Sequence, residues 1–257
     1  MKIICVIPAR FASSRLPGKP LAVIAGSPMI EWVYRRAKLV REFSQVVVAT
    51  DDLRIKHAVE SFGGRVEMTP EDLASGTDRV AHLAANMDGD IFVNLQGDEP
   101  LVDPGVLQAL IKPFTDPEVQ MTTPVSAIEH AADLTDPNKV RVVRDQNGDA
   151  LYFSRSVIPF IRDVKNVTDW PQRNIFYKHI GIYAYRKAFL ALLTRLPVSE
   201  LESAEKLEQL RVLENGYRIR TVLTRYRARS VDTPEDLDRL NKEVEKKNIT
   251  MDSIYEN

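Results

Sequence analysis

The sequence predicts an α/β fold on a central sheet that begins parallel and turns mixed. Short β-branched runs alternate with longer amphipathic stretches as far as residue 114, the rhythm of parallel strands joined by crossover helices. From residue 119 onward the strand-like runs come closer together, one pair being separated only by a turn at 145–149. No Pro/Gly/Ser-rich linker, internal repeat or low-complexity tract intervenes, so residues 1–250 read as one domain, with 119–185 a strand-rich extension and 251–257 a polar tail. At 257 residues, 44% hydrophobic and 28% charged, the chain has apolar material for a sizeable core and fits a single large α/β domain.

The elements follow in order. Residues 3–7 form the first strand, and Pro8 and Arg10 end it. That run is shorter than the roughly 7–15 apolar residues of a secretory leader. A helix is expected near 29–38, a strand at 46–50, a helix near 53–62 and, after Gly63-Gly64, a strand at 65–68. Helix 77–86, strand 91–95 and helix 106–114 complete the alternation. Strands are expected at 119–125, 140–143, 151–153 and 177–185, the last because its residues alternate in character. A helix near 203–215 closes at Gly216, two short strands follow, and Pro234 opens the last helix.

Thirty-five Lys and Arg against 36 Asp and Glu leave a net charge of -1, so no bulk field favours nucleic acid or an anionic membrane. No apolar stretch approaches the roughly 20 residues that span a bilayer, and the expected location is the cytoplasm. One cysteine, Cys5, excludes an internal disulfide, and four scattered histidines make no zinc pattern.

An anion must therefore be met by a local cluster, and one follows the first strand: Pro8-Ala9-Arg10-Phe11-Ala12-Ser13-Ser14-Arg15-Leu16-Pro17-Gly18-Lys19-Pro20. Ligands of open α/β sheets gather at the carboxyl ends of strands. There, Arg10, Arg15 and Lys19 can converge on a polyphosphate, with Ser13, Ser14 and backbone N–H groups filling remaining acceptor sites. The segment is not a Walker loop, since Pro20 stands where a magnesium-holding Ser or Thr would be. A solvated basic turn stiffened by prolines is the plain alternative. Asp98 follows a buried-looking strand through Gln96-Gly97, and Asp232 precedes a helix start. Both are candidates for a divalent cation, although Asp232-Thr233-Pro234-Glu235 reads equally well as helix-start chemistry.

The loop resembles the N-terminal signature of the 3-deoxy-manno-octulosonate (Kdo) cytidylyltransferases. Ser75-Gly76-Thr77-Asp78-Arg79, Asn94-Leu95-Gln96-Gly97-Asp98-Glu99-Pro100, Ala150-Leu151-Tyr152-Phe153-Ser154-Arg155, His179-Ile180-Gly181-Ile182-Tyr183, Leu207-Glu208-Gln209-Leu210-Arg211 and Val231-Asp232-Thr233-Pro234-Glu235-Asp236-Leu237 are similar to that family's blocks, in its order. Ser230 departs from the glycine expected before the last block.

The resemblance implies a single Rossmann-like nucleotidyltransferase domain with a mixed, mainly parallel sheet flanked by helices. Its implied reaction joins CTP and Kdo, giving CMP-Kdo and pyrophosphate for lipopolysaccharide synthesis, with Mg²⁺ required and a homodimer as the working form. Asp98 and Asp232 would share the metal. Arg10, Arg15, Lys19 and Asp98 would be catalytic, and Pro8, Ala9, Thr50, Ser75, Gly76 and Arg79 would surround the nucleotide together with the basic loop. Gln96, Arg155, His179, Tyr183, Glu208 and Gln209 offer the arginine and hydrogen-bonding groups that a keto-sugar acid needs. His179 and Tyr183, four apart, face one way if they share a strand, and Glu205 and Glu208 share a side if they share a helix. Amino-substituted Kdo and other keto-sugar acids remain open as substrates, as does a site role for Glu99. A non-catalytic nucleotide sensor is the rival outside enzymes, and it predicts loss of the metal carboxylates. The connection between 153 and 177 carries Phe160, Ile161, Trp170 and Phe176, which are costly to expose as one patch and suggest a dimer surface unless they cover the protein's own core.

Overall fold

The first apolar run forms strand β1 (Ile3–Ala9), buried along its whole length, as suits a strand covered on both faces. The computed structural model describes residues 1–13 and 15–251, so Ser14 and most of the expected tail lie outside the described residues. Contacts divide the chain into two compact units, Met1–Gln108 with the segment from Ala228 onward, and Ala109–Arg227.

In the first unit, a small hairpin of β2 (Val23–Ile24) and β3 (Ser27–Pro28) precedes α1 (Met29–Lys38). Next come β4 (Phe43–Thr50), α2 (Leu53–Ser61), β5 (Val66–Met68), α3 (Gly76–Asn86), β6 (Ile91–Asn94) and α4 (Pro104–Ile111), whose residues from Ala109 onward are counted with the second unit. β1 pairs in parallel with β4 on one side and β6 on the other, and β4 pairs in parallel with β5. The expected helix to residue 114 is α to Ile111 and 3-10 over Lys112–Thr115, because Pro113 lacks the donor that would continue the α pattern.

The second unit contains β7 (Met121–Ala127), α5 (Ala131–Thr135), β8 (Arg141–Arg144), β9 (Ala150–Ser154), β10 (Tyr177–His179), β11 (Tyr183–Arg186), α6 (Lys187–Leu193), α7 (Glu200–Glu205), α8 (Gln209–Glu214) and β12 (Arg220–Thr224). β7 is antiparallel to β10 and β11 and parallel to β12, whereas β8 is antiparallel to β9 and β10. Parallel and antiparallel pairing together, with helices beside the strands, give the α/β class with a mixed sheet. α9 (Pro234–Lys246) belongs again to the first unit. Thr233 caps it through a reciprocal pair with Asp236, and Pro234 occupies the first turn, where its missing N–H costs nothing.

Three expectations need correction. The strand at 177–185 is two strands, because the Ile182 N–H turns back to the Ile180 carbonyl at 2.7 Å and interrupts the ladder. The helix at 203–215 is also two, since Lys206 adopts a left-handed φ of 54° between α7 and α8. Among the described residues after Gly216, one strand forms, β12, rather than two.

Val231 and α9 pack with Ile24, Met29 and Trp32, all buried, and the Trp32 indole donates to the Ile24 carbonyl at 2.9 Å. The segment before α9 is thereby fixed next to the hairpin and α1. Among the described residues, no helix is long and apolar enough to cross a membrane.

Candidate active site

The basic loop closes on itself. The Gly18 N–H donates to the Phe11 carbonyl at 2.9 Å, and a Cβ at Gly18, whose φ is 70°, would stand 3.0 Å from the Phe11 ring. Glycine is required there for both its backbone angle and its lack of bulk. The Arg54 guanidinium lies 3.3 Å from the Phe11 ring centroid and is held by both oxygens of Asp52, the residue capping α2. Arg54 and Phe11 escaped the sequence reading because a cation resting on a ring between distant segments leaves no spacing signal. Ser13 accepts the Leu16 N–H at 3.4 Å within the same loop.

This closure places Lys19 and Arg15 beside two carboxylates. Lys19 Nζ lies 2.6 Å from Asp98 Oδ2 and 3.0 Å from Asp232 Oδ1, and Arg15 Nη2 lies 3.0 Å from the same Asp232 oxygen. Burial opposes the Lys19 charge, yet Asp98 and Asp232 outweigh it and hold the ammonium above its ordinary pKa. Asp98 and Asp232 thus share one cation. Among the described residues no set of three or more His, Cys, Asp or Glu is arranged around a metal position. The donor set is instead a carboxylate pair, and Mg²⁺ suits one or two carboxylates with water and phosphate oxygens completing its shell.

The remaining candidates of the first unit surround the end of β1. A Cβ on Gly97 would approach the Pro8 carbonyl to 3.1 Å, and one on Gly76 would approach the Pro8 ring to 3.3 Å and Gln96 Nε2 to 3.8 Å. Pro8, Gly76, Gln96 and Gly97 are therefore packed together, and Ala9 is buried beside them at the end of β1. Gln96 Nε2 donates to Asn94 Oδ1 at 3.0 Å. Ser75 caps α3 by accepting the Asp78 N–H at 3.1 Å, while Asp78 accepts the Ser75 N–H at 2.9 Å. Arg79 is fully buried, pairs with Asp51 and donates to the Thr69 hydroxyl. Its Nε has no partner. Buried Thr50 accepts the Asp52 N–H at 3.2 Å. Arg10 donates to the Leu73 carbonyl at 2.6 Å, and burial, followed by the nearby charge of Arg79, lowers its pKa.

The sugar candidates of the second unit also gather, by a route the sequence did not predict. Arg155 donates from Nε to the Glu205 carbonyl at 2.8 Å and from Nη1 to the Pro137 carbonyl at 3.0 Å. The Glu205 carboxylate accepts the Arg155 N–H at 2.9 Å and the Ser154 hydroxyl at 2.5 Å. Glu205 is a brace for Arg155, not a partner of Glu208 on one helix, because Lys206 breaks that helix between them. The Tyr183 hydroxyl donates to Gln209 Oε1 at 3.1 Å, and burial followed by the charge of Glu208 raises its pKa. Gln209 is buried with its Nε2 unpaired, a donor suited to an oxygen of a ligand.

His179 is held by Thr123, a residue the sequence reading missed. The Thr123 hydroxyl lies 2.9 Å from the Ile182 carbonyl and 2.9 Å from His179 Nε2. A hydroxyl has one proton; given to the carbonyl, it leaves the oxygen to accept from Nε2–H, so Nδ1 is the unprotonated, accepting nitrogen of the ring. Burial lowers the His179 pKa to about 3, which makes the ring a neutral hydrogen-bonding group rather than a proton carrier near neutrality. The His179 and Tyr183 rings lie 5.4 Å apart although they sit on separate strands.

A protein-family model described as cytidylyltransferase matches residues 4–219. A 3-deoxy-manno-octulosonate cytidylyltransferase of Geobacter metallireducens is 51% identical over 245 residues, covering 93% of this chain and 96% of that protein. An 8-amino-3,8-dideoxy-manno-octulosonate cytidylyltransferase of Shewanella pealeana is 50% identical over 242 residues, covering 92% and 96%. Among solved structures, a CMP:2-keto-3-deoxy-manno-octonic acid synthetase complexed with CTP is similar with a TM-score of 0.90 and 43% identity, covering 96% of this chain and all of that one.

Proposed function

The chain belongs to the family of 3-deoxy-manno-octulosonate cytidylyltransferases, and from that premise we propose that it transfers CMP from CTP to the anomeric hydroxyl of Kdo, releasing pyrophosphate. The observation that carries the reading is the meeting of Asp98 and Asp232 on one cation, beside Arg15, in a chain similar to its relatives over nearly its whole length. The sensor alternative predicts loss of these carboxylates, and both are present.

The sugar hydroxyl gives up its proton to water and its oxygen forms a bond to the α-phosphorus as the α–β bridging bond breaks, the electron pair leaving on pyrophosphate. Arg10, Arg15 and Lys19 stabilise that charge, and no protein nucleophile is required. Asp98 and Asp232 fit a divalent ion because they already share a positive charge; Mg²⁺ bound there would neutralise the α-phosphate and acidify the attacking hydroxyl. For Lys19 to serve the triphosphate, its ammonium must leave those carboxylates. Pro8, Ala9, Ser13, Ser14, Thr50, Ser75, Gly76 and Arg79 take the nucleotide side. Gln96, Arg155, His179, Tyr183, Glu208 and Gln209 take the sugar. In this reading the protein works in the cytoplasm and supplies lipopolysaccharide synthesis.

Pyrophosphate release from CTP, measured across a panel of keto-sugar acids, tests this. Kdo with Mg²⁺ should give the highest kcat/KM. A preference for the 8-amino sugar would transfer the assignment to the reaction named for the Shewanella relative, and no release with any acceptor would defeat the enzyme reading.

A homodimer is part of the same proposal. Trp170 and Phe176 are 3% and 1% exposed and pack with Ile128 and Leu134 in the second unit's own core, so they cannot supply the dimer surface. Phe160, set edge-on to Trp170, is 75% exposed, and Ile175 is 61% exposed. These two are left to be covered. Light scattering at micromolar concentration should give twice the chain mass, and Phe160→Ser should shift it toward the monomer; a clean monomer for the unmodified protein ends the idea.

A further inference from the structure

Glu99 is buried, 5% exposed, directly after Asp98. One of its carboxylate oxygens accepts the Ser230 hydroxyl and the other accepts the Arg229 N–H at 3.3 Å. The Val231 N–H donates to the carbonyl of Asp98 itself at 3.0 Å. Three consecutive residues, ending immediately before Asp232, are thus fastened to Asp98 and Glu99.

We propose that Glu99 is a positioning residue that holds the Asp232 segment against the Asp98 turn, so that both carboxylates stay aimed at one cation. The inference rests on the reading of Asp98 and Asp232 as the metal pair. Two carboxylates at one point repel whenever their shared cation departs, and in this reading Lys19 must depart during the reaction. A tie independent of that cation is then needed. A buried carboxylate is costly unless donors match its oxygens, and here a hydroxyl and a main-chain N–H do so from the segment that must be held. The ends of the tie are firm as well. On one side Leu95 N–H is bonded to the Val6 carbonyl at 3.0 Å. On the other, Val231 lies in the core and the Asp232 N–H donates to Asp236 at 3.2 Å. Ser230 is exposed except for this contact, so its side chain serves the tie rather than packing.

The test compares the unmodified enzyme with Glu99→Ala, Glu99→Gln, Ser230→Ala and Asp98→Asn. Mn²⁺ binding is titrated calorimetrically in the presence of CTP and without sugar, and the Mg²⁺ concentration for half-maximal rate is measured separately. Glu99→Ala should weaken Mn²⁺ binding at least about tenfold, the scale for losing a group that orients a metal ligand, and raise the Mg²⁺ requirement by a similar factor. Glu99→Gln keeps one acceptor and should recover part of that loss. Ser230→Ala, at an exposed position, should fold normally and weaken Mn²⁺ binding about two- to threefold. If Glu99→Ala fails to fold, Ser230→Ala decides: unchanged Mn²⁺ binding overturns the proposal. Unchanged binding in folded Glu99→Ala, with binding lost in Asp98→Asn, overturns the tie alone. Binding retained in Asp98→Asn overturns the metal-pair reading beneath it.

Discussion

Asp98→Asn or Asp232→Asn should lower turnover by at least about a hundredfold at saturating CTP and Kdo, the scale of losing a group that stabilises transition-state charge. An amide keeps the size and one acceptor oxygen but removes the negative charge that holds a cation. The two substitutions should act alike, since one oxygen of each residue now bonds the same Lys19 nitrogen. Asp236→Asn is the control: that carboxylate caps α9 through the backbone N–H groups of Asp232 and Thr233, so its loss should reduce stability by about 1 kcal/mol with far less effect on turnover. Steady-state rates over a Mg²⁺ series decide. A near-normal rate at saturating Mg²⁺ in either variant removes that residue from the site.

Local chemistry made α1 and α9 legible: the first is bounded as periodicity predicts, Met29–Lys38, and the second starts at Pro234 with its cap just before it. Asp98 and Asp232 could be nominated from their places after a strand and before a helix, but their meeting was implied only by the family resemblance and not by the residues themselves. It depends on ties from Glu99 to Ser230 and from Val231 to Asp98, between segments far apart in the chain. The helix break at Lys206 was equally hidden, since lysine is an ordinary helix former and its left-handed backbone comes from tertiary context. The strand break at 180–182 had a faint signal in Gly181, but the hydroxyl placed to donate to either flanking carbonyl, that of Thr123, comes from another strand. Composition likewise could not tell Trp170, which is covered, from Phe160, which is not.

Arg155→Lys and Lys19→Ala should damage different substrates, and the structure gives each variant a distinct physical cause. Arg155 lies in the second unit and Lys19 in the first. The guanidinium of Arg155 is fixed by donation to the carbonyls of Glu205 and Pro137, leaving Nη2 without a protein partner among the described residues. Lysine can reach one of those carbonyls but cannot hold both and still offer a flat donor edge to a carboxylate. Arg155→Lys should therefore raise KM for Kdo roughly tenfold or more, the cost of one charge-assisted hydrogen bond, with little change in CTP binding. Lys19→Ala removes a charge now neutralising Asp98 and Asp232 and, on this reading, one that stabilises pyrophosphate as it departs. It should lower kcat about a hundredfold, because that interaction strengthens as charge develops. Metal binding without nucleotide should become tighter in the same variant, since no ammonium then competes for the two carboxylates. Initial rates with each substrate varied in turn, together with a Mn²⁺ titration of nucleotide-free protein, separate the effects. An Arg155→Lys enzyme with unchanged Kdo saturation, or with its defect wholly in CTP binding, means that another residue holds the sugar carboxylate; weaker metal binding in Lys19→Ala means that the ammonium supports the cation site instead of competing for it.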